Sequence, residues 1–208
     1  MQYLGLVLNN SNKDLRDKLR YFLNIIFILC KRFYINVIIK EIKELLYMIK
    51  HLRIDNRLIH GQVAVTWMNS IGADKIIVCN DKVAADPIQK MALPMAARGN
   101  TVYVFSIEET INYAKEHENE TMFVICKFPS DALAILESGL EVQDVNVGNA
   151  APIQGTEYKM VTKSIAVTKE DAECYRKIAE MRGGVLTSRL TTMNETEDFL
   201  ALLSKNGF

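Results

Sequence analysis

The sequence lacks the signatures of several familiar classes of protein. Its four cysteines lie nearly fifty residues apart and form no CxxC pair, which favours neither a zinc site nor a disulfide framework and is typical of a reducing cytoplasm. The 25 basic and 25 acidic residues balance, which argues against a surface that binds nucleic acid through its phosphates. Neither GxGxxG nor GxxxxGK(S/T) occurs, which argues against a nucleotide-binding enzyme.

The sequence also lacks an apolar run of the roughly 20 residues that a membrane span needs. Within residues 1–47, Lys31 and Arg32 separate two shorter apolar runs, Tyr21–Cys30 and Phe33–Ile39, and no small-residue cleavage site follows them. Three interpretations of this segment stay open: a helix at a membrane surface, a packing helix or homodimer arm, and an accessory extension that need not belong to the native product. The accessory extension is the simplest of them.

Residues 48–208 have the pattern of one self-contained α/β domain. Short apolar runs alternate with helical patterns, and Asp86 before Pro87 and a capping box from Ser106 to Glu109 mark two helix starts. The predicted strands are Ile49–Ile54, Lys75–Cys79, Thr101–Phe105, Met122–Cys126, Asp144–Val147, Ser164–Val167 and Val185–Ser188. This alternation predicts an open, mostly parallel, doubly wound sheet of about seven strands with helices on both faces.

The loop after the first predicted strand, RIDNRLIHGQV, carries the residues with the most chemistry. Ligands collect at the carboxyl ends of strands in such sheets. His60 is suited to act as a nucleophile at neutral pH, and Arg53 and Arg57 carry guanidinium groups suited to phosphate oxygens. Asp55 is expected to hold one imidazole nitrogen and so to fix the tautomer of the ring. Together these residues predict a phosphohistidine site.

Several further residues are candidates for supporting a phosphate or shaping the loop around it. Gly61 permits close backbone approach, and amides from about Gln62 onward begin a helix that could bind an anion. Asn80, Asn146 and Gly148 follow or end predicted strands, which places them at the same edge of the sheet. Ordinary turn chemistry is the competing interpretation, favoured for Asn80 and equally open for the other two.

A less specific interpretation of the loop is also open. A histidine beside an apolar stretch is most often a hydrogen-bonded core or surface residue. Arg53, Asp55 and Arg57 could form the charged side of a strand end, with ion pairs worth about 0–1 kcal/mol each. The residue types alone do not decide between this interpretation and the phosphohistidine site.

The remaining histidines, tryptophan and strand cysteines are predicted to be structural. Trp67 lies on an amphipathic helix and is expected in the core. His51 and His117 have no comparable arginine neighbours and are expected to be structural or solvated. Cys79 and Cys126 end apolar strands and are expected to pack as small hydrophobic residues.

The run RIDNRLIHGQV resembles very closely the active-site signature of the IIB component of the mannose/fructose/sorbose family of bacterial phosphoenolpyruvate-dependent sugar phosphotransferase systems. The resemblance covers essentially all of 48–208 and none of 1–47. Its further elements are Thr66-Trp67, Ile76-Ile77-Val78, Asn80-Asp81, Val83-Ala84, Asp86, Lys127, Asn146-Val147-Gly148-Asn149 and Thr162-Lys163-Ser164.

The resemblance implies a protein-Nπ-phosphohistidine–sugar phosphotransferase. His60 would be the transiently phosphorylated residue, Arg57 the main cation on the phosphate, and Arg53 and Asp55 residues that shape the loop. The phosphoryl donor would be a separate IIA protein, and the acceptor a sugar bound by the membrane components IIC and IID. The family implies no cofactor and no metal, an open seven-stranded sheet, and a cytoplasmic protein peripherally associated with the membrane complex.

One alternative within the same fold remains, namely a regulatory binding module that handles no phosphate. His60 with its two arginines argues against it. The sugar is not legible in the sequence, although the run Asn80–Pro87 with Cys126-Lys127 looks somewhat like members that handle N-acetylgalactosamine or galactosamine. Oligomeric state, including a homodimer, is left open.

Overall fold

A computed structural model of the protein describes residues 48–59, 61–97 and 99–208. Residues 1–47 lie outside the described residues, and so do the three interpretations of that segment. The division into 1–47 and 48–208 therefore stays a prediction.

Within the described residues, a seven-stranded sheet forms the centre of the domain, with the strand order β3-β2-β4-β1-β5-β8-β9. Every pairing in it is parallel except β8 with β9. The strands of this sheet are β1 (Ile49–Asp55), β2 (Lys75–Cys79), β3 (Val102–Phe105), β4 (Met122–Cys126), β5 (Val145–Asn149), β8 (Thr187–Ser188) and β9 (Glu197–Asp198). The predicted open, mostly parallel sheet is confirmed.

The helices connect these strands, and their starts are set by local side-chain chemistry. The Asp86 carboxylate accepts hydrogen bonds from the amides of Ile88 and Gln89 at 2.9 and 3.2 Å, and Ser106 and Glu109 form the predicted capping box. The helices are α1 (Gly61–Ile71), α2 (Asp81–Ala84), α3 (Pro87–Ala96), α4 (Ile107–Glu116), α5 (Pro129–Glu137), α6 (Lys169–Met181) and α7 (Phe199–Lys205). None of the helices in the described ranges has the length and apolar character needed to cross a membrane.

Two hydrophobic clusters cover the two faces of the sheet. Strand β4 shows the division clearly, because Val124 and Cys126 belong to one cluster whereas Phe123 and Ile125 belong to the other. The first cluster includes buried residues of α4 to α7, and the second includes Trp67 of α1. The predicted helices on both faces are therefore confirmed, as is the prediction that Trp67 lies in the core.

The structure departs from the predicted strands in three places, one of which is β9 (Glu197–Asp198), an exposed two-residue strand that was not predicted. The predicted strand Ser164–Val167 is β7 (Ile165–Val167), which forms an antiparallel hairpin with β6 (Lys159–Thr162) outside the main sheet. Only two residues separate these strands, which is the length of a tight hairpin loop, and β6 is too exposed to show a core pattern in the sequence. Strand β5 continues to Asn149, so Asn146 and Gly148 lie within a strand and not in a following loop.

Burial in this double-sided core predicts the effect of truncating Ile77, which is completely buried in β2. Ile77→Ala should lower the free energy of unfolding by about 2–5 kcal/mol, because lost burial and a residual cavity add together. Urea unfolding followed by circular dichroism measures this. Ile88→Ala is the matched control, because Ile88 is 78% exposed on α3 and should change stability by at most about 0.5 kcal/mol. Equal effects of the two substitutions would contradict the assignment of the core.

Candidate functional site

Arg53 is the most completely bonded residue of the predicted site. Arg53 is 1% exposed, and all five N–H groups of its guanidinium donate hydrogen bonds. Nε and Nη2 donate to Asp55 Oδ2 at 3.2 and 2.9 Å. Nη1 donates to Asn146 Oδ1 at 3.0 Å and to the Arg189 carbonyl at 3.1 Å, and Nη2 also donates to the Leu190 carbonyl at 2.8 Å. Burial lowers the pKa of Arg53, and the Asp55 carboxylate opposes that shift. All five N–H groups of Arg53 are thus used within the described residues, and its predicted part at a phosphate site stays a prediction.

Asp55, at the end of β1, holds two guanidinium groups at once. Besides the two bonds from Arg53, its carboxylate accepts from the Arg57 amide at 3.2 Å, from Arg57 Nε at 3.1 Å and from Arg57 Nη2 at 3.0 Å. A carboxylate offers about four lone-pair positions, and here five N–H groups approach it while it is 2% exposed. Asp55 thus fixes both arginines, and its predicted contact with the His60 imidazole stays a prediction because His60 lies outside the described residues.

Arg57 differs from Arg53 because it keeps unused donors. In the described part of the chain, its side chain donates only through Nε and one Nη2 hydrogen, so three of its five N–H groups have no acceptor there. The side chain is 32% exposed, whereas that of Asp55 is 3% exposed. Within the described residues, the Arg57 guanidinium is therefore bonded to Asp55 along one edge and unbonded along the other.

The loop that carries Arg57 is held in a constrained shape. Leu58 adopts φ = 62° although it is neither glycine nor asparagine, and its side chain is buried. The side chain of Asn56 clamps the loop to Ala151, two residues after the end of β5, donating to its carbonyl at 2.8 Å and accepting from its amide at 3.0 Å. These contacts fix the backbone immediately before position 60.

His60 and the side chain of Gln62 lie outside the described residues. The neighbours of His60 are described: Ile59 is buried in the second cluster, and Gly61 is the first residue of α1. The predicted roles of His60, Gly61 and Gln62 at a phosphate therefore stay predictions.

Asn146 and Gly148 of β5 both meet the guanidinium of Arg53. Asn146 is the register partner of Arg53 in the parallel pair β1–β5 and accepts from its Nη1. A Cβ atom on Gly148 would collide with Cζ, Nε and Nη2 of Arg53, so a side chain cannot be accommodated there while Arg53 keeps its position. Both residues thus lie beside Arg53 at the predicted site, and their predicted support of a phosphate stays a prediction.

Arg189 is a residue at this site that the sequence analysis did not identify. It directly follows β8. Its Cζ atom lies 4.8 Å from the centre of the Trp67 ring, and the Cζ atom of Arg53 lies 5.0 Å from the same ring centre. No local motif surrounds Arg189, and it is far from Arg53 in the sequence. The only usable signal was its position just after the predicted strand Val185–Ser188, at the carboxyl edge of a parallel sheet.

The other residues singled out in the sequence have structural roles. Asn80 caps α2 by accepting from the Val83 amide at 3.1 Å and donates to Asp131 Oδ2 at 2.9 Å, which confirms the turn chemistry favoured for it. Burial raises the pKa of Asp131. His51 is buried, its Nδ1–H donates to Asp144 Oδ2 at 2.8 Å, and its ring stacks on Trp67 with ring centres 4.6 Å apart.

The structural predictions for the remaining histidines and the cysteines are likewise confirmed. Burial lowers the pKa of His51, which favours the neutral ring. His117 stacks on Tyr113 and contacts its carbonyl through Nδ1 at 2.9 Å. Cys79 and Cys126 are register partners in β2 and β4 and are completely buried.

The fold and this arrangement of arginines define a class: a parallel α/β protein with a cationic site at the carboxyl edge of its sheet. The family model described as PTS system sorbose subfamily IIB component matches residues 49–208. The N-acetylgalactosamine-specific phosphotransferase enzyme IIB component 1 of Escherichia coli (strain K12) is 38% identical over 131 residues, covering 62% of this chain and 82% of that protein. The sorbose-specific EIIB component of Klebsiella pneumoniae is 30% identical over 159 residues, covering 75% of this chain and 95% of that protein.

Solved structures give the same result. The crystal structure of the IIBSor domain of the sorbose permease from Klebsiella pneumoniae aligns with a TM-score of 0.71 at 30% identity, covering 77% of this chain and 99% of that one. The chain belongs to the sorbose subfamily of IIB components of the phosphotransferase system. Its role is accordingly in phosphoryl transfer within a sugar phosphotransferase system.

The contact between Gly148 and Arg53 gives a test of the site's construction. Gly148→Ala should displace the Arg53 guanidinium and lower the free energy of unfolding by about 2–4 kcal/mol, because a buried charge would lose hydrogen bonds. Urea unfolding of Gly148→Ala, Arg53→Met and the double variant measures the coupling between them.

The double variant is the decisive member of this set. Once Arg53 is methionine, the added methyl group meets no guanidinium, so Gly148→Ala should cost about 1 kcal/mol or less. Strict additivity of the two single changes would show that the glycine is needed for another reason.

Proposed function

We propose that His60 accepts a phosphoryl group and passes it to a sugar, and that Arg57 and Arg189 neutralise the phosphate. The observation that carries the proposal is the guanidinium of Arg57, three residues before His60 in the sequence. Asp55 holds it through Nε and Nη2, and its other three N–H groups have no acceptor among the described residues. A guanidinium held on one side and open on the other is suited to binding phosphate oxygens through its remaining N–H groups.

Charge balance at the site supports the same proposal. Arg53, Arg57 and Arg189 contribute three permanent positive charges, and Asp55 contributes one negative charge. The Asp144 carboxylate, which bonds His51 and interacts electrostatically with Arg189, adds a second negative charge, so the sum is +1, opposite in sign to the charge of about −2 that a phosphoryl group brings. The site is therefore complementary to a phosphate on an otherwise neutral histidine.

The two proposed transfers follow from ordinary phosphohistidine chemistry. In the first, a nitrogen of His60 attacks phosphorus, the P–N bond of the donor phosphohistidine breaks, and the His60 proton ends on the donor imidazole. In the second, a sugar hydroxyl oxygen attacks the same phosphorus, the P–N bond at His60 breaks, and the hydroxyl proton ends on the His60 imidazole. Positioning and charge stabilisation by arginines would supply the catalysis in both.

The partners of this relay follow from the family. We propose a IIA protein as donor and a sugar held by IIC and IID membrane components as acceptor, which the existence of a mannose-specific EIIAB relative in Escherichia coli (strain K12) supports on the donor side. Because the 38% identical relative is named for N-acetylgalactosamine, that sugar is the first acceptor to assay. The alternative, a regulatory module that binds without transferring phosphate, predicts no phosphorylated intermediate.

The first test concerns His60. His60→Ala should take up no acid-labile, base-stable phosphate from a phosphorylated IIA donor, because the attacking nitrogen is gone, while its circular dichroism stays that of the wild type. Radiolabelled phosphate on the isolated protein measures uptake. His117→Gln is the matched control and should be labelled normally, since the described contacts of the His117 ring are with Tyr113, which it stacks on and whose carbonyl it meets. Labelling of His60→Ala, or none in the wild type, would overturn the proposal.

The second test concerns Arg57. Arg57→Lys should slow transfer roughly ten- to a hundredfold, because a point charge replaces a fork that bonds Asp55 and phosphate at the same time. Rapid-quench labelling from phosphorylated IIA gives the rate. Arg176→Lys, an exposed arginine of α6, should transfer at the wild-type rate. An unchanged rate in Arg57→Lys would place Arg57 away from the phosphate.

A further inference from the structure

Trp67 lies against the charged groups of the site in an unusual way. The ring is 1% exposed, and the guanidinium carbons of Arg53 and Arg189 lie 5.0 and 4.8 Å from its centre. The His51 ring stacks on it at 4.6 Å. A buried indole with two guanidinium groups within cation–π distance does more than fill volume.

The two guanidinium groups are held in different ways. Arg53 donates through all five N–H groups, so the indole is one contact among many. The Arg189 side chain makes no hydrogen bond or ion pair with any residue in the described ranges; it lies against the Trp67 ring and interacts electrostatically with the Asp144 carboxylate. The position of the Arg189 guanidinium therefore depends on the indole.

The backbone of Arg189 is nevertheless firmly attached. Its amide donates to the Val147 carbonyl at 3.2 Å, and its carbonyl accepts from Arg53 Nη1 at 3.1 Å. Val147 belongs to β5, so the root of the side chain is fixed beside the strand that pairs with β1. Only the side chain is free to change partner. A cation–π contact is weaker than a charge-assisted, bidentate bond to phosphate, so an arriving phosphate would compete successfully for the guanidinium.

We propose that Trp67 is a positioning residue, which keeps the Arg189 guanidinium unpaired beside the site until a phosphoryl group arrives and takes it. The proposal rests on the function proposed above. Without the indole, the guanidinium would have neither a hydrogen-bond partner nor a fixed position, and it would have to be ordered during each transfer. Trp67 acts through Arg189 and does not touch the phosphate.

Fluorescence offers a direct test because Trp67 is the only tryptophan of the chain. Labelling with phosphoramidate, a small phosphoryl donor, should change the intensity or the emission maximum of the wild type, since the guanidinium leaves the ring. In Arg189→Gln the emission should start at a different value and stay constant on labelling. The exposed-arginine control Arg176→Gln should behave like the wild type.

Kinetics with the same donor provide the second measurement. Trp67→Leu should slow labelling roughly three- to thirtyfold, the range that a lost cation–π contact converts to, and Trp67→Phe should recover most of the rate. Adding Arg189→Gln to Trp67→Leu should slow labelling no further, because both changes remove the same interaction. A packing role alone predicts additive effects and no rescue by phenylalanine.

The possible results separate the two proposals. Failure of the wild type to take up phosphate would contradict the proposed function itself. Normal labelling of the wild type with unchanged Trp67 emission, or with an emission change that persists in Arg189→Gln, would overturn the role of Trp67 alone. If Trp67→Leu does not fold, the fluorescence comparison still decides, because it leaves the indole in place.

Discussion

The buried carboxylate of Asp55 is the interaction on which the site depends. It bonds Arg53 on the inner side and Arg57 on the outer side, and it is 2% exposed. A buried guanidinium without a counter-charge would cost several kcal/mol, so Arg53 could not keep its place without Asp55. The same carboxylate bonds one edge of the Arg57 guanidinium, whose other three N–H groups have no acceptor among the described residues. One acidic side chain thus holds both arginines: Arg53 in a structural role, and Arg57 with N–H groups left for chemistry.

Arg53 carries this ordering across the carboxyl edge of the sheet. It belongs to β1, bonds Asn146 of β5 and the backbone that follows β8, and lies where Gly148 has no side chain. Three neighbouring strands are thus joined at their ends by one side chain. Because their loops leave from this edge, the loop before His60 and the loop that carries Arg189 are anchored to the same point.

The sequence was sufficient for the parts that depend on local pattern. Apolar runs and capping residues located six of the seven strands of the main sheet, all except β9, and the motif RIDNRLIHGQV located Arg53, Arg57 and Asp55. Sequence spacing could not show that Arg53 uses every donor inside the protein, since three of its five hydrogen bonds go to acceptors more than ninety residues away. For the same reason Arg189 and the hairpin of β6 and β7 were missed: both depend on contacts that only tertiary structure creates.

The three arginines form a series in how far each is committed to the protein. Arg53 has no free N–H group, Arg57 has three in the described part of the chain, and Arg189 donates from its side chain to none of the described residues. A carrier that gains and loses a phosphoryl group needs such a series. In the proposed cycle, the fully bonded Arg53 would keep the site assembled when the phosphate is absent, whereas Arg57 and Arg189 would bind the phosphate without first breaking hydrogen bonds within the described part of the chain. The three arginines carry the same charge, and the hydrogen-bond partners of each determine whether it holds the site together or is available to a phosphate.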